Sequence, residues 1–219
     1  YIGDWSSDVC SSDLKLYGFG PSRSFRALWA LEETGLAFEH IETALRKDAT
    51  LENSAKHPNY LALNAQGKVP TLVDGDKVLT ESIAIVNYIA RLAPESNLIP
   101  TSVSELARYD ELSCFILAEL EQPLWSKGKH LFALPEEQRI PAMFDTAAFE
   151  WAKAVRSLDA LLDDSEFALG EHFSAIDILL AHTFNWAQRF EFDVPEKYIA
   201  LRDCHFARPA AQRALASMA

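Results

Sequence analysis

The hydrophobic periodicity of this chain changes character once, at Pro94, and that change constrains the fold more than any other feature. Before it, short alternating runs interleave with helical ones. Residues 15–19 (KLYGF) read as a strand, and Phe25, Leu28, Trp29 and Leu31 recur at helical spacing until Gly35 stops them. Residues 38–43 read as a second strand, followed by a polar stretch with a short helix near Tyr60. Residues 70–74 and 77–80 form a hairpin through an Asp-Gly turn, and residues 81–93 close as a helix with Ile83, Val86, Ile89 and Ala90 on one face. This order, βαβαββα, is that of a thioredoxin-like α/β domain, expected over residues 15–94. After ESNLIPTSVS, which has linker composition, every periodic run is helical. Residues 101–219 are therefore expected to form an all-α helical bundle, with helices at about 102–125, 135–162 and 175–189 and shorter pieces from Pro195 onward.

Residues 1–14 stand apart. They lack an initiating Met, repeat Ser-Ser-Asp and follow neither period, so they read as a leader foreign to the fold. No run of eighteen apolar residues occurs, which argues against a membrane-spanning helix. With 32 acidic and 20 basic residues the net charge is -12, which repels phosphate backbones and anionic lipid, so neither nucleic acid nor membrane is expected as a partner. Cys10, Cys114 and Cys204 are too scattered for a disulfide framework and fit a reducing, cytoplasmic setting; the two in helical stretches read as small buried hydrophobes. The six histidines lack metal-ligand spacing, and no metal is expected.

Four local patterns stand out: KLYGFGPSRSFRALWALEETG, NYLALNAQGKVPTL, ESIAIVNYI and FSAIDILLA. Together they resemble the cytosolic glutathione transferase superfamily, in its serine-type, bacterial-like form, over nearly everything from Lys15 to Ala219. The resemblance implies a co-substrate, glutathione, and a homodimer in which the helical domain of each subunit packs on the first domain of the other.

Ser22 precedes a helix, where unpaired N–H groups and the helix dipole favour negative charge. A free thiol titrates near ~8.5, and lowering that by ~2 units takes roughly 2.7 kcal/mol, within reach of one hydroxyl donor plus a helix terminus. The same serine could simply cap the helix. In serine-type classes such as tau and zeta the catalytic serine lies a few residues before an arginine matched here by Arg26, which points to Ser22, with Ser24 two positions later as the alternative. No cysteine occupies the turn and no Cys-x-x-Cys exists, so thiol-transfer and dithiol chemistry are not expected. Tyr17, on the first strand, reads as a packing residue.

Val69-Pro70 resembles the family's cis-proline junction, whose extended edge would pair with the cysteinyl backbone of glutathione. The usual Asn-Pro is here Asn64-Ala65, a change expected to loosen the loop without removing the site. Glu81 and Ser82 would hold the α-amino and carboxylate groups of the γ-glutamyl end at a helix start, or act as ordinary caps. Lys56 and Lys68 match positions that contact the glycyl end in relatives, and either could equally be a solvated charge. Ser174 and Asp177 read as a capping box, with Phe173 and Ile178 as its staple. Phe115, Trp125, Phe132 and Phe184 could line an apolar cavity for a small hydrophobic electrophile, though aromatics at helical spacing also serve as core. The expected function is conjugation of glutathione, activated as thiolate, to that electrophile. The alternatives are a glutathione-dependent isomerase or dehalogenase, and a non-catalytic interaction module on the same fold.

Overall fold

The computed structural model describes residues 13–20, 22–45, 48–163 and 165–218. The expected leader lies outside the described residues except at its end, where Leu14 already belongs to the first strand. The chain divides into two compact units, residues 1–93 with 213–219, and residues 94–212.

The first unit is built on a four-stranded sheet of order β2-β1-β3-β4, with β1 (Leu14–Gly18) parallel to β2 (Glu39–Glu42) and antiparallel to β3 (Thr71–Asp74), which pairs with β4 (Lys77–Thr80). Along β1 the side chains alternate, with Leu14, Leu16 and Gly18 buried and Lys15 exposed. On that buried face lie α1 (Ser24–Thr34) and α3 (Ser82–Leu92), which pack on each other; α2 (Pro58–Leu63) lies between them in sequence. Phe25, Leu28, Trp29 and Leu31 are buried as the periodicity requires. Gly35 ends α1 in the left-handed region at φ 68°, donating its N–H to the Leu31 carbonyl at 3.0 Å, a conformation costly for any residue with a Cβ. In the hairpin, Tyr88 of α3 donates to Asp74 Oδ2 at 2.5 Å and Lys77 donates to the Tyr88 hydroxyl at 3.1 Å, which ties the strands to the helix.

In the second unit the helices depart from their expected limits wherever proline intervenes. The expected helix 102–125 is two: α4 (Val103–Phe115) and α5 (Gln122–Gly128), joined by a wider π turn over Ile116–Leu120 in which Glu121 N–H reaches Ile116 O at 2.8 Å. Pro123 explains the break, because it has no N–H to donate and its ring clashes with the carbonyl four residues back. The next helix, α6 (Met143–Leu161), starts eight residues later than expected. Pro141 drives Ile140 out of helical geometry, and only a 3-10 turn forms at Glu136–Gln138. The helix α7 (Ala175–Arg189) has the expected bounds, and α8 (Glu196–Phe206) and α9 (Pro209–Ala216) follow. The core holds Trp151 of α6, Phe184 of α7 edge-on to it at 5.9 Å, and Tyr198 of α8 stacked on Phe184 at 4.3 Å.

The cysteine reading is corrected. Cys114 and Cys204 are both exposed. On α4 the inward side is occupied by Tyr109, Leu112 and Ser113, and on α8 by Tyr198 and His205, so each cysteine falls on the outward side of its helix.

Candidate functional site

The turn from β1 to α1 gathers both candidate serines. Arg23 is the N-cap of α1 and makes no side-chain cap, and the first turn carries no acidic residue, so the positive end of the helix is not compensated from within. Ser22 sits just before it, half-buried. Its Oγ accepts from Ser24 N–H at 3.2 Å, its hydroxyl donates to the Phe19 carbonyl at 2.6 Å, and Ser24 Oγ lies 2.9 Å away. Ser24 is wholly buried, and its Oγ also accepts from Phe19 N–H at 3.3 Å. Of the two hydroxyls only that of Ser22 is partly open to solvent, and Ser24 is sealed.

Gly18, which the sequence reading passed over, makes this arrangement possible. A Cβ on Gly18 would fall 2.8 Å from Ser24 Cβ, closer than side chains tolerate. A glycine ending a strand just before a Gly-Pro-Ser turn was the available signal.

The Val69-Pro70 peptide bond is cis. Pro70 is buried and Val69 half-buried, immediately before β3. The loop that leads to them is held from beneath. Tyr60 Oη donates to the Lys68 carbonyl at 2.5 Å and is 2.9 Å from Thr71 Oγ1; Asn64 Nδ2 donates to the same carbonyl at 2.9 Å and to Thr71 Oγ1 at 3.1 Å. Asn64 Oδ1 in turn accepts from Gln66 N–H at 3.1 Å. Burial pushes the Tyr60 phenol above its ordinary range, so it stays a donor. The sequence reading named Asn64 only through its pairing with Ala65 and gave Tyr60 and Thr71 no role, yet all three hold the loop before the cis-proline edge.

Lys56 is engaged by the same loop, its ammonium donating to the Gln66 carbonyl at 3.4 Å and the Gly67 carbonyl at 3.3 Å. Lys68 is exposed. Glu81 is the N-cap of α3 at φ 68°, exposed and without a cap bond, its Oε1 3.5 Å from Gln66 Nε2. Ser82 opens the helix, is 6% exposed, and its Oγ lies 3.5 Å from Nη1 of the fully buried Arg26. As at α1, the first turn of α3 holds no acidic residue. The first unit thus carries, on its own residues, the acid-free start of α1, the start of α3 with Glu81 as its N-cap, a half-buried hydroxyl and a cis-proline edge. Tyr17 packs on Tyr60 with ring centroids 5.8 Å apart, as a packing residue should.

The aromatic set of the second unit does not form one lining. Phe184 is core, Phe132 is exposed with its edge toward Phe190, and Phe115 and Trp125 are half-buried. A hollow of about 320 Å³ in this unit is lined by other residues, among them Lys127, Phe144, Trp151, Val155, Arg156 and Phe192. Helical spacing places aromatics on a face but does not separate core from cavity wall. The capping box at α7 is present, with Ser174 N–H and Oγ each 2.8 Å from Asp177 Oδ2.

Family models match both parts of the chain: glutathione S-transferase, N-terminal domain, over residues 12–91, and glutathione S-transferase, C-terminal domain, over residues 122–205. The solved theta class glutathione S-transferase of Xanthomonas axonopodis pv. citri, with glutathione bound, is 30% identical, covers 93% of this chain and 97% of its own, and superposes with a TM-score of 0.74. A zeta class glutathione S-transferase of Euphorbia esula is 28% identical over 196 residues, 86% of this chain and 83% of its own length. Elongation factor 1-gamma 3 of Oryza sativa subsp. japonica is 27% identical over 164 residues, 74% of this chain but 38% of its own length.

Proposed function

The chain belongs to the glutathione S-transferase family, and from that premise we propose that it binds glutathione on its first unit, holds the cysteinyl sulfur as a thiolate with Ser22, and transfers it to a small apolar electrophile. The observation that carries this reading is the arrangement of the serine pair: one hydroxyl half-exposed at an uncompensated helix start, the other sealed behind it. An anion at that position gains a hydroxyl donor and the field of α1, the two contributions a thiolate needs. Ser22 rather than Ser24 contacts sulfur, because a wholly buried hydroxyl has no path to a ligand.

The remaining groups divide the tripeptide among them. The cis-proline edge at Val69 offers its backbone to the cysteinyl amide, and Ser82 with the start of α3 takes the γ-glutamyl carboxylate, Arg26 adding positive charge behind it. Glu81 takes the α-amino group, and Lys56 and Lys68 serve the glycyl end. The reaction is nucleophilic attack by sulfur on an electrophilic carbon, in substitution or addition, with no metal required. The protein works as a homodimer in the cytoplasm; light scattering at micromolar concentration checks the assembly.

Ultraviolet titration of the thiolate in bound glutathione tests the reading. A midpoint well below the free thiol in the wild type, restored toward the free value by Ser22→Ala, is expected. The same midpoint in both proteins overturns it. The similarity to elongation factor 1-gamma favours a second reading, a docking module without catalysis. Failure to bind immobilised glutathione in reducing buffer would select it.

A further inference from the structure

Three buried side chains, Tyr60, Asn64 and Thr71, close a ring of hydrogen bonds on one backbone carbonyl, that of Lys68. Counting protons fixes every direction in the ring. Tyr60 gives its single hydroxyl proton to the Lys68 carbonyl, so across its 2.9 Å contact with Thr71 Oγ1 it accepts and Thr71 donates. Asn64 gives one amide hydrogen to the same carbonyl and the other to Thr71 Oγ1, while its Oδ1 accepts from Gln66 N–H, the amide orientation the network requires. The ring has no spare proton, and both lone pairs of the Lys68 carbonyl are taken.

That carbonyl belongs to the peptide unit that Lys68 shares with Val69, which is trans. A peptide unit is planar, and in its trans form the N–H points opposite to the C=O. With the carbonyl turned in on Tyr60 and Asn64, the Val69 N–H is turned away from them. Val69 is half-buried, and among the described residues its N–H has no acceptor. The preceding carbonyls are held as well: Lys56 donates to those of Gln66 and Gly67, with a third ammonium hydrogen to spare. Beyond Pro70, Thr71 is fixed in the sheet by its pairing with Tyr17 and Thr80. The ring therefore ties the loop ahead of Val69 to the sheet.

We propose that Tyr60, Asn64 and Thr71 are positioning residues for glutathione: by holding the Lys68 carbonyl inward they aim the Val69 N–H at the cysteinyl backbone of the ligand. They act through the peptide unit rather than on the ligand. Thr71 matters most, because its hydroxyl is at once donor to Tyr60 and acceptor from Asn64. Without it one Asn64 N–H is left unpaired and the peptide unit is free to tilt, so the cost of ordering it falls on the binding step. The Val69 hydrogen bond is made alike with bound thiol and bound thiolate. Its loss therefore weakens glutathione binding without moving the thiol midpoint.

This inference rests on the reading that the Val69 backbone meets glutathione, and calorimetric titration with glutathione tests it. Thr71→Val puts a methyl of similar size in place of the hydroxyl and is expected to raise the dissociation constant about tenfold. Thr71→Ser, which keeps the hydroxyl, should return it to within about threefold of the wild type. At saturating glutathione the thiolate midpoint of Thr71→Val should match the wild type, whereas general loosening of the site would shift both quantities. Wild-type affinity in Thr71→Val, equal weakening by valine and serine, or a midpoint displaced along with the affinity overturns the proposal. No binding by the wild-type protein overturns the glutathione reading itself, a distinguishable result. Amide NMR of the wild-type protein needs no variant to fold: the Val69 N–H resonance should move downfield on adding glutathione, and a resonance that stays in place while glutathione binds overturns the aim assigned to it.

Discussion

Two serine-bearing helix starts, one in each unit, use similar chemistry to opposite ends. At α7, Ser174 and Asp177 close on each other, Asp177 also accepts from Ala168 N–H at 2.8 Å, and His205 Nε2 lies 3.5 Å from its other face; the aspartate is wholly buried. The negative charge that the helix dipole favours is built in. At α1 Ser22 and Ser24 place two hydroxyls 2.9 Å apart, but no acidic residue occupies the first turn. The charge that would complement that helix end has to come from a ligand. A helix start that carries its own anion is a folding device, and one that lacks it is a binding device.

Removing the built-in anion should have the largest effect. Asp177→Ala leaves the buried N–H and hydroxyl of Ser174 and the half-buried N–H of Ala168 without their acceptor, and is expected to cost about 3 kcal/mol of stability in denaturant unfolding, with activity per folded molecule unchanged. A loss below about 1 kcal/mol would break the comparison. Next is Ser22→Ala, expected to lower kcat/KM about 100-fold, equivalent to about 2.7 kcal/mol of transition-state stabilisation, while unfolding moves by less than about 1 kcal/mol. The two variants thus trade places between the stability and activity assays. Gly18→Ala should come third: its Cβ meets Ser24 Cβ at 2.8 Å, for about 2 kcal/mol of overpacking and a displaced serine pair. Gly20→Ala is the control, because its Cβ would meet nothing within 4 Å.

What was legible in the sequence follows the same division. The βαβαββα order, the Asp-Gly hairpin, the Gly35 stop and the α7 capping box depend on neighbours a few residues apart, and all are present. Helix limits were lost at Pro123 and Pro141, where local backbone chemistry overrides a periodic pattern. In the candidate site, Ser22, Val69, Pro70, Glu81 and Ser82 could be named as candidates because they sit at junctions between elements, where a motif marks a position in the chain. Gly18 and Thr71 were missed because their contacts are fixed by how strands, loop and helices meet, which no local pattern encodes. The aromatic lining of the second unit failed for a related reason: Phe184 and Phe132 have the same residue type, yet one is core and the other exposed.

The smallest effect sharpens the comparison most finely. At α4 Ser102 is also an N-cap, its Oγ accepting from Glu105 N–H at 3.2 Å while its hydroxyl donates to the Glu105 carboxylate. This is the arrangement of α7 with both members exposed to solvent. Water can replace what the side chain gives up, so Ser102→Ala should cost about 1 kcal/mol or less where Asp177→Ala costs about three times that. Both losses are read from denaturant midpoints at constant slope, since a changed slope would signal a change in the unfolded state instead. Equal losses at the two positions would mean that burial does not set the strength of a helix start, and the contrast between a closed α7 and an open α1 would then rest on charge alone. Unequal losses in the expected ratio leave burial and charge as separate contributions, and make the half-buried, acid-free start of α1 the place where an incoming anion gains most.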